Sequence, residues 1–321
     1  MPTTQPDTQP ATDHRTSAGR TVLVLGATGQ QGGAVAAALR ANGWSVRALV
    51  RDPDGGKAKR LSSTGVDVIR GDLDDPASVQ AAIVGVHGVF SVQPSSGQGP
   101  TYGVTDEQEI RWGKRIADVA LAAGVQHLVY SSVNAVGRGP TGMGHFDSKF
   151  AIEEHIRGLD LRSTIVRPAA FMELLMLPGM GLDHGYFSFF LRPEQVAQVI
   201  AVQDIGAIVA AAFAAPDHFA GRTIEIAGDE VTGAQLGEAL SRAAGRTITY
   251  LRFPDDVLAG NAFLGRLAAL VDDGRLAGNA DIDALRREFG RLTRFDEWLS
   301  GPGKPLLQHA LQARSTSVSL R

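Results

Sequence analysis

Thr21-Val-Leu-Val-Leu-Gly26-Ala-Thr-Gly29-Gln-Gln-Gly32-Gly33 is the stretch that decides how this 321-residue chain folds. Five apolar or β-branched residues stop at a glycine, and an Ala-rich run from Ala34 to Leu39 follows the last glycines. That order is strand, tight turn, helix, the context in which a glycine-rich turn binds a dinucleotide. Gly26 permits the tight turn and Gly29 lets the backbone approach a diphosphate, while Gly32 or Gly33 allows the helix to pack closely. Unpaired N–H groups and the helix dipole then attract the phosphates. Gly26, Thr28, Gly29, Gln30, Gln31 and Gly32 are the candidate phosphate-binding residues.

Outward from this turn, strands and helices alternate. Asn42-Gly43 closes the first helix, and Ser45 to Val50 and Val66 to Ile69 read as the next two strands. A helix over Pro76 to Ile83 precedes a strand from Gly88 to Val92. An amphipathic helix over Thr105 to Ala123 precedes a strand from His127 to Ser131. A helix over Asp147 to Arg157 and a strand from Ser163 to Arg167 complete the regular part. Alternating βα units with apolar strands predict an α/β protein with a parallel sheet buried on both faces. Right-handed crossovers make it a doubly wound Rossmann fold, with its ligand beyond the carboxyl ends of the strands.

After Pro168 the regularity weakens, which predicts a smaller α/β C-terminal substrate lobe. Residues 20–168 form the expected Rossmann domain and 169–300 the lobe. The helix Asp204 to Phe213 and the strand Thr223 to Ala227 return to the first domain. Further helices surround a strand over Thr247 to Leu251. Residues 1–19 and 301–321 read as tails, the second with a short docked helix over Pro305 to Ala313. Phe171, Met172, Met176 and Tyr186 to Phe190 are expected to wall a small apolar pocket, ordinary core being the competing reading. Glu153-Glu154 reads as a solvated helix face.

The end of the second strand chooses the dinucleotide. NAD sites place an acid there for the ribose diol, and NADP sites a cation for the 2′-phosphate. Here the strand ends Val50-Arg51, with Lys57, Lys59 and Arg60 close by. Arg51 offers a planar, permanently charged fork for phosphate, unless it only pairs with Asp52 or Asp54. NADP(H) is therefore the expected cofactor. Asp72 and Leu73, after the third strand, are candidates for the adenine side, although Asp72 equally suits a helix cap. Val92 and Gln93, ending the fourth strand, should lie by the nicotinamide, and the glycine-rich Pro94 to Gly103 reads as a mobile cover.

Composition excludes several functions. The net charge is −3 with no dense Lys/Arg run, which argues against nucleic-acid binding. There are no cysteines, so thiolate chemistry and disulfides are absent. The eight histidines are scattered without ligand spacing, and no metal is expected. No signal peptide and no apolar run of roughly 18–20 residues appear, so the chain reads as cytoplasmic and not membrane-bound.

With these pieces in hand, the chain resembles the NmrA-like family of atypical short-chain dehydrogenase/reductases over about residues 20 to 300. The likeness rests on Gly26-Ala-Thr-Gly-Gln-Gln-Gly-Gly33, Arg51-Asp52-Pro53 and Gly71-Asp72-Leu73-Asp74-Asp75. His145-Phe-Asp-Ser-Lys149, Phe171-Met-Glu173 and Asp204-Ile-Gly206 complete it. The His-Phe-Asp-x-Lys segment looks like the NADPH-sensing branch in particular. The resemblance implies a mixed inheritance: reductases of phenylpropanoids and quinones, and non-catalytic readers of the NADPH/NADP+ balance that act through a regulatory protein partner.

Short-chain dehydrogenases use a Tyr-x-x-x-Lys pair, and the matching residues here are His145 and Lys149. The resemblance gives Lys149 the nicotinamide ribose. His145 either supplies the proton in place of tyrosine or has no chemical role. Ser132 either hydrogen-bonds a substrate carbonyl or only satisfies backbone at the strand end. Lys149, Ser132 and His145 are the candidate catalytic residues. The expected activity is NADPH-dependent reduction of a small apolar carbonyl, enone or quinone; the alternative is a redox sensor that binds NADP(H) without turnover.

Overall fold

The computed structural model describes residues 19–98 and 103–313. Its first half alternates as the sequence predicts: β1 (Thr21–Val24), α1 (Gln30–Ala41), β2 (Ser45–Val50), α2 (Gly56–Ser63), β3 (Asp67–Arg70), α3 (Pro76–Ile83) and β4 (Gly88–Ser91), then α4 (Asp106–Ala122), β5 (His127–Ser131), α5 (Gly144–Arg157) and β6 (Ser163–Pro168). Successive side chains of a strand point to opposite faces, and in β1 both faces are buried. Val22 and Val24 enter the core shared with α1, whereas Leu23 joins Ile83, Ile116 and Ile152 on the other side. Helices end where local chemistry stops them. Thr105 and Gln108 form a reciprocal capping box on α4, and the Asp75 side chain accepts from Ala77 N to cap α3. The α3 cap is therefore Asp75 and not Asp72. The helix α2 has no counterpart in the sequence reading, because only Ala58 of its eight residues is buried.

The second half comprises β7 (Ala170–Phe171), β8 (Tyr186–Phe189), β9 (Val196–Ile200), α6 (Val202–Ala214), α7 (Pro216–Phe219), β10 (Thr223–Ile226), β11 (Asp229–Thr232) and α8 (Gly233–Ala244). After these come β12 (Thr249–Arg252), α9 (Asp255–Gly260), α10 (Ala262–Asp272), α11 (Ile282–Phe289), α12 (Phe295–Ser300) and α13 (Lys304–Gln312). The main sheet has seven strands in the order β10-β6-β5-β4-β1-β2-β3, all parallel. α6 and β10 thus return to the first sheet, and α6 lies directly on α1. A Cβ on Gly206 would sit 2.6 Å from Ala34 O, so the glycine is what lets the two helices approach. The remaining strands make a three-stranded sheet, β11-β9-β7, and the pair β12-β8.

Three expectations are corrected here. Met172, Met176, Phe187 and Phe190 do not wall a pocket; they are buried together in the core of the C-terminal lobe. The docked helix expected over Pro305 to Ala313 is present as α13, but it is part of the C-terminal lobe and not of a tail, since it sends Leu307 and Ala310 into that same core. Glu153 is not solvated. It is fully buried against Arg167, while Glu154 stays exposed. The expected tails over residues 1–18 and 314–321, and the stretch 99–102 of the expected cover, lie outside the described residues. Among the described residues no helix is long and apolar enough to cross a membrane.

One buried histidine at the amino end of the sheet makes stability depend on pH. Burial, reinforced by the charge of Arg162, pulls the His127 imidazole from 6.5 down to about 4. The unfolded chain takes up this proton near neutrality and the native state does not. Stability is thus complete above pH 6.5 and falls as pH drops toward 4, by about 3 kcal/mol from this residue. Buried Glu173 and Asp204, both pushed up by desolvation, act in the opposite direction. The measurement is accordingly a difference: urea midpoints at pH 7 and 4.5 for wild type and His127→Gln. The variant should lose less stability on acidification, and parallel pH profiles would refute the assignment.

Candidate functional site

The strand order reverses between β1 and β4, and the glycine-rich turn lies at that reversal. Gly26 has φ +66°, a left-handed conformation that favours glycine, and a Cβ there would lie 3.0 Å from Val92 Cγ1 at the end of β4. Gly29 N donates to Gly26 O at 2.9 Å and closes the turn. Of the two candidates for close packing, Gly32 is the one required. A Cβ on Gly32 would stand 2.4 Å from Gly26 O, whereas one on Gly33 would stand 3.3 Å from Ala27 O. α1 begins at Gln30 with Gly29 as N-cap, no side-chain cap and no acid in its first turn. Its first N–H groups have no intrahelical acceptor, which makes this end an anion site. Thr28 and Gln30 are exposed. Gln31 turns inward, and its Nε2 donates to Ser131 Oγ at 2.5 Å, tying the helix start to the end of β5.

At the end of β2, Arg51 is exposed and no ion pair among the described residues engages its guanidinium. The alternative pairings with Asp52 and Asp54 are not formed. Asp54 instead takes Arg70 Nη2 at 3.5 Å, and Asp52 Oδ1 accepts from Asp54 N. Lys57, Lys59 and Arg60 stand exposed on α2 immediately beyond. Asp72 Oδ1 accepts from Asp74 N at 2.9 Å, shaping the turn after β3, while Leu73 O accepts from Arg115.

On the other side of the reversal lie Gln93, Ser132, His145 and Lys149. Gln93 is 7% exposed, and its Nε2 donates to Ser91 Oγ at 2.8 Å. Ser132 is 6% exposed, and its Oγ does not satisfy nearby backbone as the simpler expectation had it. Ser132 Oγ and Gln93 Oε1 are buried without a hydrogen-bond partner among the described residues. The His145 ring packs against Phe146 and Phe263, with centroids 3.9 and 5.4 Å away, and a Cβ on Gly97 would lie 2.8 Å from its Cδ2. Lys149 Nζ donates to Glu109 Oε1 at 2.6 Å, to His145 O at 2.9 Å and to Ser95 Oγ at 3.2 Å. Asp147 accepts from Thr141 and Gly142 amides and so holds the approach to α5.

Glu109 was missed by the sequence reading, though a signal existed. Glu109, Trp112, Gly113, Ile116, Ala117 and Ala120 form the buried stripe of α4, so an acid stands on an apolar helical face. Such an acid must have a partner. Tyr130 was missed as well. It is buried on β5, and burial plus the negative charges of Glu109 and Glu153 hold its phenol well above the usual value. The other motif residues are architectural. Glu173 accepts from Val202 N and from Trp298 Nε1, and Asp204 accepts from Thr293 N and Oγ1. Leu174 is 40% exposed. Among the described residues no group of His, Asp and Glu could hold a metal.

Comparison with known proteins gives a consistent set. The model of the NmrA-like family matches residues 18–296. An NmrA-like family domain-containing protein of Dictyostelium discoideum is 27% identical over 87% of this chain and 96% of its own length. An NAD(P)H azoreductase of Xenophilus azovorans is 30% identical over 72% of this chain and 76% of its own. Among solved structures, NmrA, described as a negative transcriptional regulator and crystallised with NADP, superposes with a TM-score of 0.71 at 23% identity. It covers 88% of this chain and 94% of that one, a likeness of fold.

Proposed function

The chain belongs to the NmrA-like family, and from that premise we propose that it binds NADP(H) and acts as an NADPH-dependent reductase of a small apolar carbonyl, enone or quinone. The observation that carries this reading is the pair of orphaned buried atoms, Ser132 Oγ and Gln93 Oε1, at the carboxyl ends of β5 and β4. Leaving such atoms unpaired costs about 1–3 kcal/mol each, which a ligand bearing an amide and an oxygen would offset. The uncapped start of α1, the cradle that a Cβ on Gly32 would fill, and the unpaired Arg51 also fit a dinucleotide.

Bound NADPH supplies the hydride that the substrate carbon receives. The chain's residues bind, orient and exclude water. In this reading the α1 amides from Gln30 to Gly32 hold the diphosphate and Arg51 the 2′-phosphate. Asp72 and Leu73 border the adenine, Val92 and Gln93 the nicotinamide, and Lys149 its ribose. Ser132 donates a hydrogen bond to the substrate oxygen as negative charge develops there, and the oxygen's final proton comes from solvent.

A second reading has one observation in its favour. The His145 ring is packed between Phe146 and Phe263, and all three Lys149 donors are engaged within the protein. Such a site suits a sensor that binds NADP(H) without turnover and alters its affinity for a regulatory protein. NADPH oxidation, followed by nicotinamide absorbance against quinones, enones and aldehydes, separates the two. Turnover that falls about 100-fold in Lys149→Ala supports the reductase; tight binding with no turnover on any compound replaces it by the sensor. For cofactor choice, Arg51→Ala should weaken NADPH about 10- to 100-fold and leave NADH unchanged. Equal weakening of both would remove Arg51 from the 2′-phosphate.

A further inference from the structure

We propose that Glu109 is the positioning residue for Lys149, and that the Lys149–Ser95 hydrogen bond is the one surrendered when a nicotinamide ribose binds. The inference rests on the cofactor reading above. An ammonium has three protons to donate, and all three are taken. Two of the acceptors belong to helix bodies: Glu109 on α4, and the His145 carbonyl on α5 one turn before the lysine. The third, Ser95, belongs to the loop that follows β4.

The three bonds differ in strength. Glu109 is 1% exposed, its Oε1 receives Lys149 at 2.6 Å, and its Oε2 receives Ser148 Oγ at 2.8 Å. One turn further along both helices, Ile152 packs so closely on Gly113 that a Cβ there would lie 2.4 Å from Ile152 Cδ1. The carboxylate is thus fixed by the contact of α4 with α5 and cannot follow the lysine elsewhere. The Ser95 bond, at 3.2 Å, is the longest of the three and has a neutral acceptor on a loop. A ribose hydroxyl that competes for Lys149 takes that third proton, while Glu109 keeps the amine in place. A buried ion pair is a poor source of net stability, so its contribution here is a fixed ammonium direction.

Calorimetric titration of the full chain with NADP+ and with adenosine 2′,5′-bisphosphate, which lacks the nicotinamide ribose, tests this. Glu109→Gln should weaken NADP+ about tenfold and leave the bisphosphate within about twofold. Ser95→Ala should tighten NADP+ about two- to threefold, because the competing acceptor is gone, with the bisphosphate again unchanged. Equal loss of both ligands in Glu109→Gln, which a merely structural role produces, would overturn the proposal. So would unchanged NADP+ affinity in that variant, or weaker NADP+ binding in Ser95→Ala. If Glu109→Gln does not fold, Ser95→Ala decides alone. Wild-type protein that binds neither ligand refutes the cofactor reading itself; wild-type protein that binds both, with unaltered ratios in the variants, refutes only the role of Glu109 and Ser95.

Discussion

Glu153→Ala should destabilise the protein by about 3–5 kcal/mol, because it leaves a buried cation without its partner. The Glu153 carboxylate accepts from Arg167 Nε at 2.9 Å and Nη2 at 2.6 Å, and from Arg157 Nη2 at 2.6 Å. Burial alone would pull the Arg167 guanidinium down, but the hydrogen bonds and charge of Glu153 outweigh it and hold it above its ordinary value. Without Glu153, the one ion pair left to Arg167 among the described residues is with Glu225, 3.9 Å away, and the largely buried cation is poorly compensated. Arg157 is more exposed and also pairs with Glu154, so Arg157→Ala should cost no more than about 1 kcal/mol. Urea denaturation at neutral pH compares the two. Equal costs would show that the fork between Arg167 and Glu153 does not hold β6 to α5. The double change Glu153→Leu with Arg167→Met should recover most of the loss, since neither charge then remains buried.

Gly32→Ala should abolish dinucleotide binding, with a loss of at least about 100-fold, and lower stability by about 1–3 kcal/mol. The added methyl would meet Gly26 O at 2.4 Å, Gly26 C at 2.5 Å and Ala27 N at 2.8 Å. All three are backbone atoms of the turn, which cannot rotate aside as a side chain would. The start of α1 must therefore move away from the strand end, carrying with it the amides that would hold the diphosphate. Gly33→Ala is the control, because its methyl approaches only Ala27 O, at 3.3 Å. Calorimetry with NADP+ and thermal melts on both variants check the pair. Comparable behaviour of the two would mean that the turn tolerates displacement and that its geometry is not what the ligand reads.

The legible part of the fold was the part governed by local chemistry. The bounds of β2, α3 and β5 coincide with the sequence reading because a glycine stop, a capping acid before proline and a short apolar run after a glycine each act within a few residues. By contrast, β8 pairs with β12, more than sixty residues later in the chain, and nothing local to Tyr186–Phe189 announces a partner at Thr249–Arg252. The same limit explains the apolar pocket that became core. Met172, Phe187 and Phe190 carry the composition of either, and only the surrounding elements decide which.

The chain by itself determined a doubly wound parallel sheet with a glycine-rich turn at its first βα junction, because the turn, its flanking strand and its helix are consecutive and each residue acts on its neighbours. It also placed Arg51 and Lys149 at their positions in that order of elements. Tertiary structure alone decided which charged and polar groups meet: Glu109 with Lys149 across forty residues, Glu153 with Arg167, and Gln31 with Ser131 across one hundred. The physical reason is that burial makes an ion pair or hydrogen bond obligatory without naming its partner, and the partner is chosen by which helices and strands the close packing of the core brings together.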